Sequence, residues 1–262
     1  MRSRFLYIRP VSGPEQDFEA RYPGIRLAPV TVIIPAYDEE QTVASVVASV
    51  PAEMSGLATS VLVVDDGSRD RTAERAAGAG AYVHRQANGG QGAALRAGYR
   101  VAASRGAEIL ATLDADGQWS AADLAPMVEL VARGEADLVS GSRRLGSDQV
   151  TERARQAGVV VFGRLITVLT GQAVTDPANG LRVMKADVAR TVRLEQPQFQ
   201  AAELLLSALS AGFRYREVPV AHLPRQAGVS KKGNDLLYGA RYGAAVVRTY
   251  VRDRGWRHRG RA

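Results

Sequence analysis

Two aspartates one residue apart, Asp114 and Asp116, stand where an apolar run ends, in Leu113-Asp114-Ala115-Asp116-Gly117-Gln118-Trp119. The run Ile109-Leu110-Ala111-Thr112-Leu113 reads as a short buried strand, and Gly117 turns the chain beyond it. Carboxylates so spaced at a strand end can both point into a cleft, and Gln118 adds a neutral oxygen two residues on. Such a set suits a hard divalent cation, which takes oxygen ligands and shares them with substrate phosphates. The chemistry predicted is a metal–diphosphate site. A solvated acidic turn is the plain alternative for any Asp-x-Asp. A calcium loop fits less well: it needs glycine at its sixth position and Glu at its twelfth, whereas Gly117 is fourth here and Ala125 twelfth.

The elements that must position these acids follow from the apolar pattern. Strands are predicted over Val30–Ile34, Val61–Val64, Ala81–His84, Ile109–Leu113 and Asp137–Ser140. Helices alternate with them, over Glu39–Val50 with Asp38 as N-cap, Arg71–Ala77, Ala93–Ser104 and Ala121–Ala132. Continuous apolar strands alternating with helices imply an α/β fold with a mostly parallel sheet covered on both faces. Ligands of such sheets bind beyond the carboxyl ends of the strands. Pro35–Glu39, Asp65–Ser68 and Asp114–Gln118 all lie at such ends, so three segments converge on one site. A P-loop, a complete dinucleotide fingerprint and a G-x-S-x-G elbow are all absent from the sequence.

The flanks read differently. Residues 1–29 carry four prolines without clear periodicity, as an extended, partly ordered arm would. In the second half, Arg153–Thr170 is predicted as a helix closed by Gly171, and Thr175–Gly180 as a turn before the strand Leu181–Met184. The helix Phe199–Ala211, the strand Phe213–Val220 and a basic loop Arg225–Gly233 follow. Asn234 would cap a last helix reaching about Arg252, with Leu236, Leu237, Ala240, Ala244 and Val247 on one face and Arg241, Arg248 and Arg252 on another. A basic amphipathic helix of this kind suits a membrane surface; a helix docked on its own core with a solvated arginine face is the alternative.

Composition narrows the classes. The 262 residues are 46% hydrophobic and 23% charged, an ordinary globular balance long enough for one large α/β domain. Without cysteine there are no disulfides or thiolate metal sites, and the three histidines have no metal-binding spacing. No apolar stretch reaches the ~18 residues of a membrane span, and no signal peptide is visible. A cytoplasmic protein is expected, able to lie peripherally on the inner face of the membrane. The net charge of +7 is concentrated from Gly212 onward, where 12 Lys+Arg against three Asp+Glu leave +9. That end therefore suits a polyanion or an anionic surface.

Taken in order, the motifs Val32-Ile33-Ile34-Pro35-Ala36-Tyr37-Asp38-Glu39-Glu40, Val63-Val64-Asp65-Asp66-Gly67-Ser68, Asn88-Gly89-Gly90-Gln91-Gly92, Asp114-Ala115-Asp116-Gly117-Gln118, Gly141-Ser142-Arg143, Thr175-Asp176-Pro177 and Arg225 with Gly228, Ser230 and Lys231 match one family. Over roughly residues 30–232 the chain resembles the inverting family-2 glycosyltransferases of GT-A fold, and most of all the dolichol- or polyprenol-phosphate sugar synthases. The resemblance implies a Rossmann-like GT-A domain over 30–232, with a nucleotide-binding half at 30–118 and an acceptor half at 119–232. An arm (1–29) would precede it, and a basic amphipathic helix and tail (233–262) would follow. It implies that Pro35, Ala36, Tyr37 and Glu39 hold the base and ribose of a UDP- or GDP-sugar and that Asp65 or Asp66 contacts the base. Asp114, Asp116 and Gln118 would hold Mg²⁺ or Mn²⁺. Arg143, Arg153, Arg225, Ser230 and Lys231 would meet the diphosphate or an acceptor phosphate. The chain departs from the family turn at Asn179, where Ser or Thr is usual, and at Leu181, where an aromatic is usual.

The expected reaction is transfer of a hexose to a polyprenyl phosphate with inversion. Such an acceptor is already an anion and needs no general base. A sugar or small-molecule hydroxyl acceptor would need one within hydrogen-bond reach, and Glu203 or Asp176 are the candidates. A binding module for nucleic acid, driven by the basic C-terminal region, is a distant alternative that leaves Asp114–Gln118 without a role.

Overall fold

The computed structural model describes residues 13–150, 153–225 and 236–253. The apolar runs become an eight-stranded sheet: β1 Val30–Ala36, β2 Glu53–Met54, β3 Leu57–Asp65, β4 Tyr82–Arg85, β5 Ile109–Thr112, β6 Leu138–Asp148, β7 Arg182–Lys185 and β8 Tyr215–His222, in the order β2-β3-β1-β5-β7-β6-β8 with β4 also paired to β3. β1 runs parallel to β3 and β5, β4 to β3, and β8 to β6. The short β2 is antiparallel to β3, and β7 is antiparallel to both its neighbours. The mostly parallel α/β sheet is therefore present, with one reversed strand in its middle. That reversal has a consequence for chemistry. Arg182, the first residue of β7, pairs with Thr112, the last of β5. The turn before β7 is thereby laid beside Asp114.

Alternate residues of the central strands feed two cores, as the two-residue repeat of a strand requires. Ile33, Leu62, Val64 and Leu110 face one, with the helices α4 Gln91–Ser104 and α8 Gln200–Ser210. Val32, Ile34, Val63 and Ala111 face the other, with α2 Val43–Ser49 and α5 Leu124–Ala132. Gly98 lets α4 lie close on the sheet: a Cβ there would fall 2.5 Å from the Ile33 Cγ2 methyl. The remaining helices are α1 Pro14–Arg21, α3 Thr72–Gly78, α6 Arg153–Thr170, α7 Ala186–Thr191 and α9 Leu236–Asp253.

Two expectations are corrected. The N-terminal arm is not extended throughout: Pro14 at the first helical position, Glu15 and Asp17 in the first turn and Arg21 in the last are favourable helix signals. The helix they form buries Phe18 against Tyr22 and Tyr82, and Glu15 pairs with Arg100 on α4 at 2.6 Å. Helix α2 starts at Val43 rather than Glu39, and Asp38 is not its N-cap. Asp38 instead has φ of 51° and accepts a hydrogen bond from Arg69 N at 2.8 Å, because it ties the first strand's loop to the second's.

Beneath the second half, Asp137 joins three strands. Its carboxylate accepts from Arg214 N, Nε and Nη2, each at 3.0 Å, and pairs with Lys185 Nζ at 2.8 Å. Hydrogen bonds from Arg214, helped by those from Lys185 and outweighing the effect of burial, hold its pKa well below the carboxylate range. A depressed carboxylate contributes stability that is complete above its unfolded pKa near 4 and is lost as pH falls through the folded value. Asp137→Asn should cost about 1–3 kcal/mol at neutral pH. In urea unfolding at a series of pH values, the gap to the wild type should narrow below about pH 4.

Candidate functional site

The site is built where β1, β3 and β5 end side by side. Ala36 pairs with Asp65 in parallel register, so the loops after both strands run together. Polar bonds then stitch them: Asp38 N donates to Ser68 Oγ at 3.0 Å, Glu39 N to Thr72 Oγ1 at 2.8 Å, and Asp66 N to the Ala36 carbonyl at 2.9 Å. Pro35, Tyr37 and Glu39 thus stand at the rim where β1 ends, while the Ala36 side chain is buried in the core.

Asp65 and Asp66 are buried, and both are engaged within the protein. Asp65 accepts from Ser68 N at 2.8 Å and lies 3.1 Å from Arg85 Nε. Asp66 accepts from Gln86 Nε2, Gly89 N and Gly90 N at 2.7, 2.9 and 2.7 Å. Asp66 therefore shapes the Asn88–Gly92 turn, which opens α4 at Gln91.

Gln91 in turn reaches Asp114. Its Nε2 donates to Asp114 Oδ1 at 2.9 Å, while Trp119 Nε1 donates to Oδ2 at 3.2 Å. Gly180, delivered by the reversed strand, faces the same carboxylate: a Cβ there would lie 2.9 Å from Oδ2. Asp116 is held differently. Its Oδ1 accepts from Gln118 N at 3.1 Å, and its Oδ2 lies 2.7 Å from Arg225 Nη2. Arg225 Nη1 also lies 3.4 Å from Glu39 Oε1. One guanidinium thereby spans the rim at Glu39 and the turn at Asp116. Gln118 turns its amide nitrogen to the Leu223 carbonyl at 3.3 Å, leaving its amide oxygen as the acceptor end.

On the other side stands Arg143. Its Nε and Nη2 meet Asp176 at 2.6 and 2.8 Å, and its backbone N donates to Asp176 Oδ2 at 3.1 Å. Burial opposes the Arg143 charge, but the Asp176 carboxylate outweighs it and raises the guanidinium pKa. Glu217 fixes the turn from behind by accepting from Thr175 N and Asp176 N. A cavity of about 240 Å³ opens beside Arg143, lined also by Arg144, Asp148, Gln156 and Val159. A smaller one of about 70 Å³, lined in part by Gln91, Asp114, Gly180, Arg182 and Gln200, lies against Asp114. The larger space belongs to the arginine side and the smaller to the carboxylate side.

Of the residues expected at the site, the structure brings Glu39, Asp116 and Arg225 into direct contact, with Asp114 and Gln118 on the same turn as Asp116. Arg153 opens α6. Ser230 and Lys231 lie outside the described residues. Glu203 is a buried anchor: its carboxylate accepts from Glu195 N and Gln196 N at 2.9 and 2.8 Å and from Arg252 Nη1 at 2.8 Å. Asp176 is likewise consumed by Arg143 and by its turn. Asn179 closes its own turn by accepting from Leu181 N at 2.8 Å, the local bond a Ser or Thr makes more weakly. Leu181 is buried in the core.

Several contributors went unread in the sequence. Buried Arg182 donates to the carbonyls of Pro177, Asn179 and Ala201 and so pins the turn to the start of α8. Trp119 stacks on His222 with centroids 4.7 Å apart and 24° between planes, and His222 Nδ1 lies 2.9 Å from Asp148 Oδ1. Only the adjacency of Trp119 to the Asp-x-Asp turn was a local signal for this chain of contacts.

Comparison with known proteins agrees with this geometry. Residues 31–193 match the family described as glycosyl transferase family 2. The dolichyl-phosphate hexose transferase of Haloferax volcanii is 31% identical over 225 residues, covering 86% of this chain and 95% of that protein. The undecaprenyl-phosphate mannosyltransferase of Micrococcus luteus is 31% identical over 235 residues, covering 83% and 91%. Among solved structures, the glucosyl-3-phosphoglycerate synthase of Mycobacterium tuberculosis in complex with Mn²⁺, UDP and glucosyl-3-phosphoglycerate superposes with a TM-score of 0.63 over 94% of this chain and 86% of that one. Its 21% identity makes it a relative in fold. The α/β sheet with its carboxyl-end site is thus a GT-A fold, and the chain, a glycosyltransferase, belongs to glycosyl transferase family 2.

Proposed function

We propose that this enzyme moves a hexose from a UDP- or GDP-sugar to a polyprenyl phosphate, with inversion at the anomeric carbon. The observation that carries the acceptor class is the contrast between acids and cations at the site. Both acids considered as bases, Asp176 and Glu203, are spent on fixing protein groups, whereas the cavity beside Arg143 is lined by two arginines, Arg143 and Arg144, and by one acid, Asp148, which is bonded to His222. That arrangement suits an acceptor that arrives as an anion. The names of the Haloferax and Micrococcus relatives support the same reading.

In this reading the rim Pro35–Glu39 holds the nucleoside and the loops fixed by Asp65 and Asp66 form its floor. The donor set beyond it fits a divalent cation: the Asp116 carboxylate, the Gln118 amide oxygen and Asp114. Among the described residues no three His, Cys, Asp or Glu form a ready-made cage, so a bound cation would also need oxygens from the diphosphate and water, as Mg²⁺ commonly accepts. Mg²⁺ or Mn²⁺ held there would offset the charge that develops on the leaving diphosphate. An acceptor phosphate oxygen, oriented by Arg143, forms the new bond to the anomeric carbon. The bond to the nucleoside diphosphate breaks with its electron pair, and no proton need be taken up by the protein. Trp119, Gln91 and Gly180 keep the Asp114 carboxylate in one orientation throughout, which is the preorganisation such a site needs. A polyprenyl acceptor also places the enzyme at a membrane; no helix among the described residues is long and apolar enough to cross one.

Calorimetric titration with UDP and with GDP, with and without Mn²⁺, tests the donor half. One nucleotide should bind in a metal-dependent way, and Asp116→Ala should weaken it at least about tenfold, the equivalent of ~1.4 kcal/mol. Binding of neither nucleotide by the folded wild type would sink the reading. Arg225 makes a second test, because its guanidinium holds the Asp116 oxygen a metal would use. In Arg225→Gln, Mn²⁺ without nucleotide should bind about fivefold more tightly, as loss of a ~1 kcal/mol competing pair implies, and nucleotide with Mn²⁺ more weakly. A third separates the acceptor classes. Glu203→Gln should lower the melting temperature while leaving the folded enzyme's kcat within about threefold, since a base contributes ~10²-fold or more; collapse of kcat would favour a hydroxyl acceptor.

A further inference from the structure

The last helix does not bury the face that its sequence pattern singles out. Tyr242, Ala245, Val246, Thr249 and Asp253 are buried, and α9 packs them against the body of the protein, where Tyr242 meets Phe199 at a ring separation of 5.5 Å. Ala240, Ala244 and Val247, which the pattern assigns to an apolar face, are exposed, and Val251 continues their row. The side chains of Leu236 and Leu237 lie outside the described residues.

A second helix completes this surface. α6 and α9 meet at a seam where the Phe162 ring lies 4.6 Å from the Tyr242 ring and Gly243 faces Phe162. At about 100° per residue, Val247 and Val251 follow Gly243 round α9 on the side away from its buried residues. By the same count, Val161 and Val168 of α6 lie away from buried Gly163 and Ile166, on the outer side of that seam. The four valines are 61% (Val161), 82% (Val168), 52% (Val247) and 63% (Val251) exposed. They are four of the six large apolar side chains exposed among the described residues. Exposed Arg164 borders the row on α6, and exposed Arg241 and Arg248 border it on α9. α6 contains no acidic residue, and the only one in α9, Asp253, is buried and bonded to Ser207 Oγ at 2.6 Å. Two 18-residue helices thus present outward an apolar row edged by cations with no exposed carboxylate between them.

We infer that the α6–α9 face is where the protein lies on an anionic lipid bilayer, the valines entering the headgroup–acyl boundary and the arginines meeting lipid phosphates. Charge decides for a bilayer over a second copy of this chain: two such faces would oppose arginines to arginines. Apolar burial and attraction to anionic lipid act together on a surface of this composition. α6 also links the face to the chemistry, since its Gln156 and Val159 line the cavity beside Arg143. A phosphate borne by a lipid would then enter from the surface on which the protein rests. This deepens the proposed acceptor and rests on it only for that last step.

The test is sedimentation with vesicles of phosphatidylcholine alone and of phosphatidylcholine with phosphatidylglycerol, using the full chain. The wild type should bind the anionic vesicles and release them at high salt. Val168→Asp with Val251→Asp should lower the bound fraction at least about tenfold, and Arg241→Gln with Arg248→Gln should weaken binding to anionic vesicles alone. Both double variants change exposed side chains, so their melting temperatures and nucleotide binding should match the wild type. Unchanged vesicle binding in the valine variant would overturn the assignment, as would a wild-type dimer in sedimentation velocity that the valine variant dissolves without any vesicle binding. Vesicle binding by this face together with failure to transfer to a detergent-dispersed, short-chain polyprenyl phosphate would leave the face standing and remove the proposed acceptor.

Discussion

Buried and half-buried carboxylates that accept backbone N–H groups hold this enzyme's loops in place. Asp66 takes two such donors from the Asn88–Gly92 turn, Glu217 takes those of Thr175 and Asp176, Glu203 those of Glu195 and Gln196, and Asp65 that of Ser68. A carboxylate removed from water is costly unless its oxygens are satisfied, and hydrogen bonds to a charged group contribute about 1.5–3 kcal/mol each. The loops at the carboxyl ends of the strands carry little apolar surface of their own. These anions give them fixed shapes without a packed core, and the side chains at the strand ends inherit that rigidity.

The same arrangement divides the acids by task. Most serve as anchors, which leaves Asp114 and Asp116 at the cleft, with Glu39 on its rim. Even these are restrained: Asp114 by Gln91 and Trp119, Asp116 by Arg225. Arg225 neutralises a carboxylate that would otherwise face Glu39 across the cleft, and it is also the type of group that can move to a phosphate. A site so arranged holds its charges near balance before substrate enters.

Cations follow a parallel division. Arg182 is buried and spent on three carbonyls, Arg252 on Glu203 and Asp253, whereas Arg143 is oriented by Asp176 toward a cavity, and Arg164, Arg241 and Arg248 remain outside. The basic character of the C-terminal part therefore is not one property. Arg225 meets Asp116 at the site, Arg252 is tied to buried carboxylates, and Arg241 and Arg248 edge the valine-rich face of α6 and α9.

What the sequence determined by itself was everything carried by local pattern. Period and turn chemistry placed the alternating strands and helices, and the bounds of α6 agree with the helix expected over Arg153–Thr170 and closed by Gly171. The positions of Pro35–Glu39, Asp65–Ser68 and Asp114–Gln118 at strand ends predicted their convergence, because parallel strands must bring their carboxyl ends to one edge. The helix at Pro14–Arg21 carries its own signals, Pro14 at its start and acids in its first turn, but the neighbouring Pro10, Pro23 and Pro29 read as an extended arm. Tertiary structure alone decided the rest. Whether Glu203, Asp176, Asp65 and Asp66 are reagents or anchors depends on which backbone N–H groups fold against them, over separations that no spacing rule spans. The reversal of β7 brought Gly180 and Arg182 to Asp114, and a strand's direction is not written in its composition. On α9 two apolar rows compete for the core; the row with Tyr242 and Val246 is buried because it meets α8, and the valine row is left outside beside that of α6.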